Sequence, residues 1–330
     1  MNAAVFAGLD VLQLDCAGEA ERIARWMVDA LANRLHRRGL VVALSGGIDS
    51  SVCAALGVRA VGPKKVFGLL LPERESSPSS TERGRQLAMH LGIVHELFDV
   101  APALEALGCY RQRDEAIRRV FPMYGDDWRC KILIGGGSEG GINFFKLVVA
   151  SPDGQAHEAR LPLREYLQIV AATNFKQRVR KTMDYFHADR LNYAVVGTPN
   201  RLEYDQGFFV KAGDGAADLK PIAHLYKTQV YAMARSLGLP DAICNAQPTT
   251  DTYTLPQGQD EFYFALPYPQ MDLALWSLNH GVSAADLART LGTSETRSQR
   301  IYDDIGAKRR AGRYLHAGAE TVEPIEAISG

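Results

Sequence analysis

The chain has 330 residues, of which 46% are apolar and 23% charged; these ordinary globular proportions exclude a disordered chain, a collagen-like repeat and a coiled-coil rod. Lys and Arg number 37 against 38 Asp and Glu, a net charge of −1, so an anionic partner must be met by a local cluster and not by a global field. No apolar run reaches the ~18 residues of a membrane span, and the first twenty residues hold Asp10, Asp15 and Glu19 without Lys or Arg, unlike a secretory signal.

Residues 19 to 38 carry Ile23, Met27, Ala30, Leu31 and Leu35 on one helical face, and Gly39 is the expected stop. Leu40-Val-Val-Ala-Leu44 reads as a strand buried on both faces. Ser45-Gly-Gly-Ile-Asp-Ser-Ser51 follows, and Val52 to Leu56 begins a helix. Val66 to Leu71, Val94 to Val100 and Tyr193 to Gly197 repeat the strand pattern, with a polar loop over 72 to 81 and a helix ending near Leu91. Alternating strands and helices predict a parallel sheet covered on both faces, with ligands at the carboxyl ends of its strands. Residues 131 to 161 differ: three short strand-like runs, turning at Asp153-Gly154, predict an inserted antiparallel meander. From about residue 270 the chain reads as mostly helical. Cys16, Cys53, Cys109, Cys130 and Cys244 are scattered without a Cys-x-x-Cys, which argues against a disulfide framework or zinc site and makes a reducing cytosol the default.

The loop at 45 to 51 carries the most chemistry. Gly46 and Gly47 let the backbone approach an anion, the helix start adds positive potential, and Ser45, Ser50 and Ser51 supply hydroxyls. A phosphate or pyrophosphate is the expected occupant, although no Walker A lysine is present. Asp49 would repel that phosphate unless a cation lay between them, so it is a candidate Mg²⁺ ligand. The bland alternative is a glycine turn in which Asp49 caps the helix.

Ser-Gly-Gly-x-Asp-Ser after a strand resembles the loop of N-type ATP pyrophosphatases. Further runs are similar to NAD⁺ synthetase: Asn174-Phe-Lys-Gln-Arg178-Val-Arg180, Gly197-Thr198-Pro-Asn-Arg-Leu-Glu203, Gly207-Phe-Phe-Val-Lys211-Ala-Gly-Asp214-Gly-Ala-Ala-Asp218-Leu-Lys-Pro221 and Leu225-Tyr-Lys227. Pro248-Thr249-x-Asp251, Glu261 and Tyr268-Pro-Gln-Met-Asp272 extend the likeness over most of residues 20 to 275. The resemblance implies an adenine nucleotide alpha hydrolase-like (Rossmann-like) α/β domain over 1–275 and a helical extension over 276–330 that closes the site. It implies a cytosolic, Mg²⁺-dependent homodimer. ATP would activate the nicotinate carboxylate of deamido-NAD⁺ as an acyl-adenylate, and ammonia would attack it to give NAD⁺, AMP and pyrophosphate. No glutaminase segment is visible, so ammonia is expected from solution or from a separate glutaminase.

Carried over by motif, Asp49 and Glu203 are the implied Mg²⁺ ligands, and Thr198, Lys227 and Thr249 are implied ATP contacts beside Ser45, Gly46, Gly47, Ser50 and Ser51. Arg178, Lys211, Asp218 and Lys308 match positions facing the deamido-dinucleotide, and Lys211 and Asp214 lie near the expected acyl-adenylate. Asp214 is the candidate to hold ammonium or take its proton. Lys176, Arg178, Arg180 and Lys181 form a basic run that is either a solvated helix face or a substrate face. The sequence departs from the family at Ala307-Lys308-Arg309, where many members have His-Lys-Arg, at Thr198 to Glu203, which is nearer to one branch, and at the meander. These departures bear on which carboxylate is used, so an adenylating ligase acting on another acid is the alternative.

Three local patterns invite other readings. Gly135-x-Gly137-x-x-Gly140 resembles a dinucleotide fingerprint, and Gly136-Gly-Ser138-Glu-Gly140 a serine-hydrolase elbow. Both need a helix next, whereas Ile142 to Val149 is strand-like. Residues 282 to 300 read as helix, glycine turn, helix, with Arg297 and Arg300 on the second helix. A regulatory protein with a DNA-reading tail would use them, but the chain is not basic and helical hairpins are common packing units.

Overall fold

The computed structural model describes residues 8–135, 144–246, 255 and 266–323. Helix α1 (Cys16–Asp29) leads into β1 (Leu40–Ala43), α2 (Ile48–Val61), β2 (Val66–Leu70), α3 (Pro78–Leu91) and β3 (Val94–Leu97). After α4 (Ala101–Ala106) and α5 (Cys109–Val120) come β4 (Arg129–Gly135), β5 (Phe144–Ala150) and β6 (Ala156–Arg160). The 29-residue α6 (Leu163–Leu191) returns the chain to β7 (Ala194–Val196). Then follow α7 (Arg201–Gln206), α8 (Lys227–Ser236), α9 (Asp241–Cys244), α10 (Tyr268–Asn279), α11 (Ala284–Leu291) and α12 (Glu295–His316). No helix among the described residues is long and apolar enough to cross a membrane.

Four strands form a wholly parallel sheet in the order β3-β2-β1-β7. Leu40 pairs with Val66 on one side and Ala194 on the other. The strands are buried on both faces because successive side chains alternate. Leu40 and Val42 join α1, α2 and α8 in one core, while Val41, Leu69 and Val195 join α6 in a second. The continuous apolar runs are thus the doubly buried strands that the sequence predicts, and β3 is a more exposed edge.

The antiparallel sheet β4-β5-β6 has its own core, built from Ile132, Leu147, Val149, Ile117 and Ile169. Its turn at Asp153-Gly154 lies where the sequence puts it, with Gly154 at φ 88° and its N–H donating to the Ser151 carbonyl at 2.9 Å.

One helix end differs from expectation. The helix begins at Cys16, and the chain from Ala30 to Leu35 is a wider π-helical turn, closed by left-handed His36 at φ 50°. Gly39 has another role: a Cβ there would sit 2.4 Å from the Lys65 carbonyl, so it permits close entry into β1.

Candidate active site

A cavity of about 740 Å³ opens at the carboxyl ends of β1, β2 and β7. That volume is in the range of small-molecule sites. One wall is the loop after β1. Gly46 takes φ 75°, and a Cβ on it would meet the Ser80 carbonyl at 2.1 Å, so only glycine lets the loop lie against the start of α3. The Ser45 and Ser50 hydroxyls are 3.0 Å apart, and the Gly47 N–H donates to Ser45 Oγ at 3.2 Å. Ser51 is different: it does not line the cavity, and its hydroxyl donates to the Gly47 carbonyl at 2.8 Å, which locks the first turn of α2.

Asp49 stands at the centre of a long-range cluster. One carboxylate oxygen accepts from Asn200 Nδ2 at 3.0 Å, and the other pairs with Lys227 Nζ. Asn200 caps α7, accepting from the N–H groups of Leu202 and Glu203, while Glu203 accepts from the Asn200 N–H. Asn-x-x-Glu is a capping-box signature, and that signal was available in the sequence for Asn200. Burial, then the charge of Asp49, raise the pKa of Glu203 well above the carboxylate range, against the influence of Lys227. Burial opposes the charge on Lys227, yet Asp49 and Glu203 together hold its pKa above the ordinary lysine value. Lys227 is in place because it opens α8, where buried Asp272 accepts from the N–H groups of Lys227 and Thr228 at 3.2 and 2.7 Å.

The arrangement fits a divalent cation. Asp49 and Glu203 are two carboxylates on one cavity, and burial, then the charge of Asp49, pushes Glu203 toward holding a proton. A hard cation would remove that repulsion, and Mg²⁺ takes one or two carboxylates plus phosphate oxygens. Among the described residues no group of three or more His, Cys, Asp or Glu forms an all-protein metal cage.

Helix α6 supplies the opposite wall along one face, from Tyr166 through Thr173, Gln177 and Lys181 to Asp184. The basic run therefore divides. Lys176 is buried against Glu73 and Glu75 at 3.1 and 2.5 Å, in a network with Tyr110 and Arg113. Arg180 and Lys181 line the cavity; Arg180 donates to the Leu71 carbonyl at 3.0 Å, and Lys181 pairs with Asp184 at 2.8 Å. Arg178 is exposed and donates to the Lys211 carbonyl at 3.2 Å. Arg83, which sequence reading did not single out, also lines the cavity and donates to the Gly46 carbonyl at 3.1 Å. No local motif marks it, because only the packing of α3 on the loop brings it there.

Asp214 lines the cavity within a tight loop, accepting from the Val210 N–H at 2.8 Å. Burial raises its pKa, against that bond and the nearby charge of Lys181. Thr198 and Lys308 also line the cavity. Lys308 comes from α12, which Arg309 ties to Asp205 at 2.9 Å. By contrast Arg178, Lys211 and Asp218 stand off the cavity lining. Lys211 Nζ donates to the Tyr314 carbonyl at 3.0 Å, and Asp218 accepts from the Val195 N–H at 2.7 Å. Thr249, Asp251, Glu261, Ser138, Gly137 and Gly140 lie outside the described residues. The element that follows the glycine stretch at 135–140, β5, is a strand and not the helix that a dinucleotide fingerprint or nucleophile elbow requires. Arg297 and Arg300 are exposed at the start of α12.

A parallel sheet with a glycine loop at its carboxyl edge, two carboxylates and a ring of cations defines a nucleotide-handling α/β enzyme. The sequence pattern of the NAD synthase family matches residues 19–120 and 146–310. The chain belongs to that family. It is 54% identical over 328 residues to the NH(3)-dependent NAD(+) synthetase of Rhizobium meliloti (strain 1021), covering 99% of this chain and 98% of the relative. In fold it is similar to the NMN synthetase from Francisella tularensis, with TM-score 0.64 and 21% identity over 94% of this chain and 99% of that one. It is also similar to the NH3-dependent NAD synthetase from Campylobacter jejuni subsp. jejuni NCTC 11168, with TM-score 0.62 and 21% identity over 94% and 100%. The family match breaks over residues 121–145, which hold β4 and the first two residues of β5.

Proposed function

We propose that this chain amidates the nicotinate carboxylate of deamido-NAD⁺ at the expense of ATP, through an acyl-adenylate that ammonia attacks, giving NAD⁺, AMP and pyrophosphate. The observation that carries this reading is identity over nearly the whole of both chains with an NH(3)-dependent NAD(+) synthetase. A carboxylate is a poor electrophile, and adenylation gives it a good leaving group. The backbone of Gly46 and Gly47 and the start of α2 receive the triphosphate, with Ser45, Ser50 and Thr198 as hydroxyl donors. Lys227, Arg83 and Arg180 face the cavity as fixed cations, which stabilise charge as it moves to the leaving pyrophosphate. Asp49 and Glu203 would hold magnesium, which supplies further neutralisation of the triphosphate when bound. Asp214, with its basicity raised by burial, is suited to receive a proton from ammonium or the attacked intermediate. Arg178, Lys211, Asp218 and Lys308 are assigned to the dinucleotide, and Thr249 to ATP. A cytoplasmic homodimer fed by free ammonia or a separate glutaminase completes the reading, with residues 1–275 as the catalytic unit and the rest as its helical cover.

The test supplies ATP, Mg²⁺, an ammonium salt and one acid at a time. Equal amounts of AMP and pyrophosphate are expected with deamido-NAD⁺. A higher kcat/KM with nicotinate mononucleotide or an unrelated acid would replace the substrate and keep the chemistry. AMP release that needs no acid would overturn the reading.

A further inference from the structure

The two ends of the cavity differ in chemistry. At the sheet end stand Arg83, Arg180, Lys181 and Lys227. At the other end Phe145 of β5 and Tyr166 of α6 lie stacked, with ring centroids 4.0 Å apart and planes 13° from parallel. Both rings line the main cavity, and both also line an outer groove of about 470 Å³ bordered by Leu161 and Leu163. The pair is therefore a partition between two open spaces. It is anchored: both rings pack on the core of the antiparallel sheet, and the Phe145 carbonyl accepts from the Leu161 N–H at 2.8 Å. Tyr166 and Arg180 belong to one unbroken helix, 14 residues apart, which is about 21 Å along its axis. Phe145 falls within the break of the family match.

We infer that Phe145 and Tyr166 form a stacking platform for the planar ring of a nucleotide substrate, either a ring of the dinucleotide or the adenine of ATP. The inference rests on the proposed reaction. A nucleotide couples a charged phosphate chain to a flat, weakly polar ring, and the cavity offers a charged end and a flat aromatic end joined by one helix. Stacking a ring on a preformed aromatic pair gains contact area without ordering either side chain anew. Phe145 lies in the stretch that the family pattern does not match and Tyr166 in the matched part, so the platform joins a residue of this chain's own to the family framework as a specificity element.

Phe145→Leu and Tyr166→Leu keep apolar volume and remove the flat face. Calorimetric titration of the intact protein with ATP and Mg²⁺, and separately with deamido-NAD⁺, reads binding without turnover. Each variant is expected to weaken one of the two Kd values by about 5- to 150-fold, the span found when a ring beneath a base is removed. The other Kd is expected to hold, and Phe145→Tyr is expected to rescue the loss. The nucleotide that is weakened identifies the ring. If both variants melt as the wild type does and neither Kd moves, the platform is overturned; if both Kd values fall equally and Phe145→Tyr does not rescue them, the pair is only structural and the inference fails as well. A wild type that binds both nucleotides yet forms no AMP sinks the proposed reaction and leaves the platform standing.

Discussion

Replacing Asp272 by asparagine isolates the electrostatic cost of presenting Lys227 to the cavity. The carboxylate is 0% exposed. Burial outweighs the bonds from the Thr228 and Lys227 N–H groups and pushes its pKa from 3.8 to about 6. At about 1.4 kcal/mol per pH unit, the folded chain disfavours the ionised form by about 3 kcal/mol. The folded state thus keeps a proton that the unfolded chain releases, so this group's contribution to stability is complete below pH 3.8 and is lost as pH rises through about 6. Asparagine carries no charge at any pH. Wild-type stability relative to Asp272→Asn should therefore fall by up to about 3 kcal/mol between acid and neutral pH. Superposed on this is a pH-independent loss of about 1 kcal/mol, because the new amide accepts from one N–H and presents a donor to the other. Urea unfolding of both proteins across pH 4 to 7 at fixed ionic strength measures the difference. Parallel curves, or a wild type that gains on the variant with rising pH, refute the reasoning.

Gly46→Ala forces a side chain into a left-handed residue and onto the Ser80 carbonyl; ATP affinity should fall about tenfold or more, measured by titration, and an unchanged Kd would remove the loop from phosphate binding. Lys227→Met strips the counter-charge from Asp49 and Glu203, so urea unfolding at neutral pH should show a loss of about 3–5 kcal/mol. Without Lys227 the pKa of Glu203 rises beyond its wild-type value of about 8, so the loss should grow as pH climbs past about 8, where the wild type ionises and the variant does not; a pH-independent loss counts against the electrostatic account. Asp214→Asn should raise the ammonium concentration needed for half-maximal rate and leave pyrophosphate exchange running; unaltered ammonium saturation ends its proposed role.

Much of the framework was legible in the sequence because it is written locally. A doubly buried strand must be apolar at consecutive positions, so Leu40 to Ala43, Val66 to Leu70 and Ala194 to Val196 announced themselves. The glycine loop after β1 was legible for the same reason: its glycines and hydroxyls lie within seven residues of chain. The turn at Asp153-Gly154 was likewise set by the φ that glycine permits.

The contacts that make the site were not local. Asp49 meets Asn200 and Lys227 across separations of 151 and 178 residues, and only the sheet order brings β1 beside β7 and α8 behind them. Arg83 reaches the loop through α3, and the basic run on α6 was ambiguous until packing assigned each side chain. Helical position alone could not say that Lys176 is buried among acids, that Arg180 and Lys181 face the cavity, and that Arg178 and Lys211 stand outside it. Periodicity fixes which residues share a face, but what that face meets depends on elements distant in the chain. The sequence thus determined the sheet, the glycine turn and the family; the tertiary structure decided the charge balance around Asp49, because burial and opposed charges exist only once remote segments pack together.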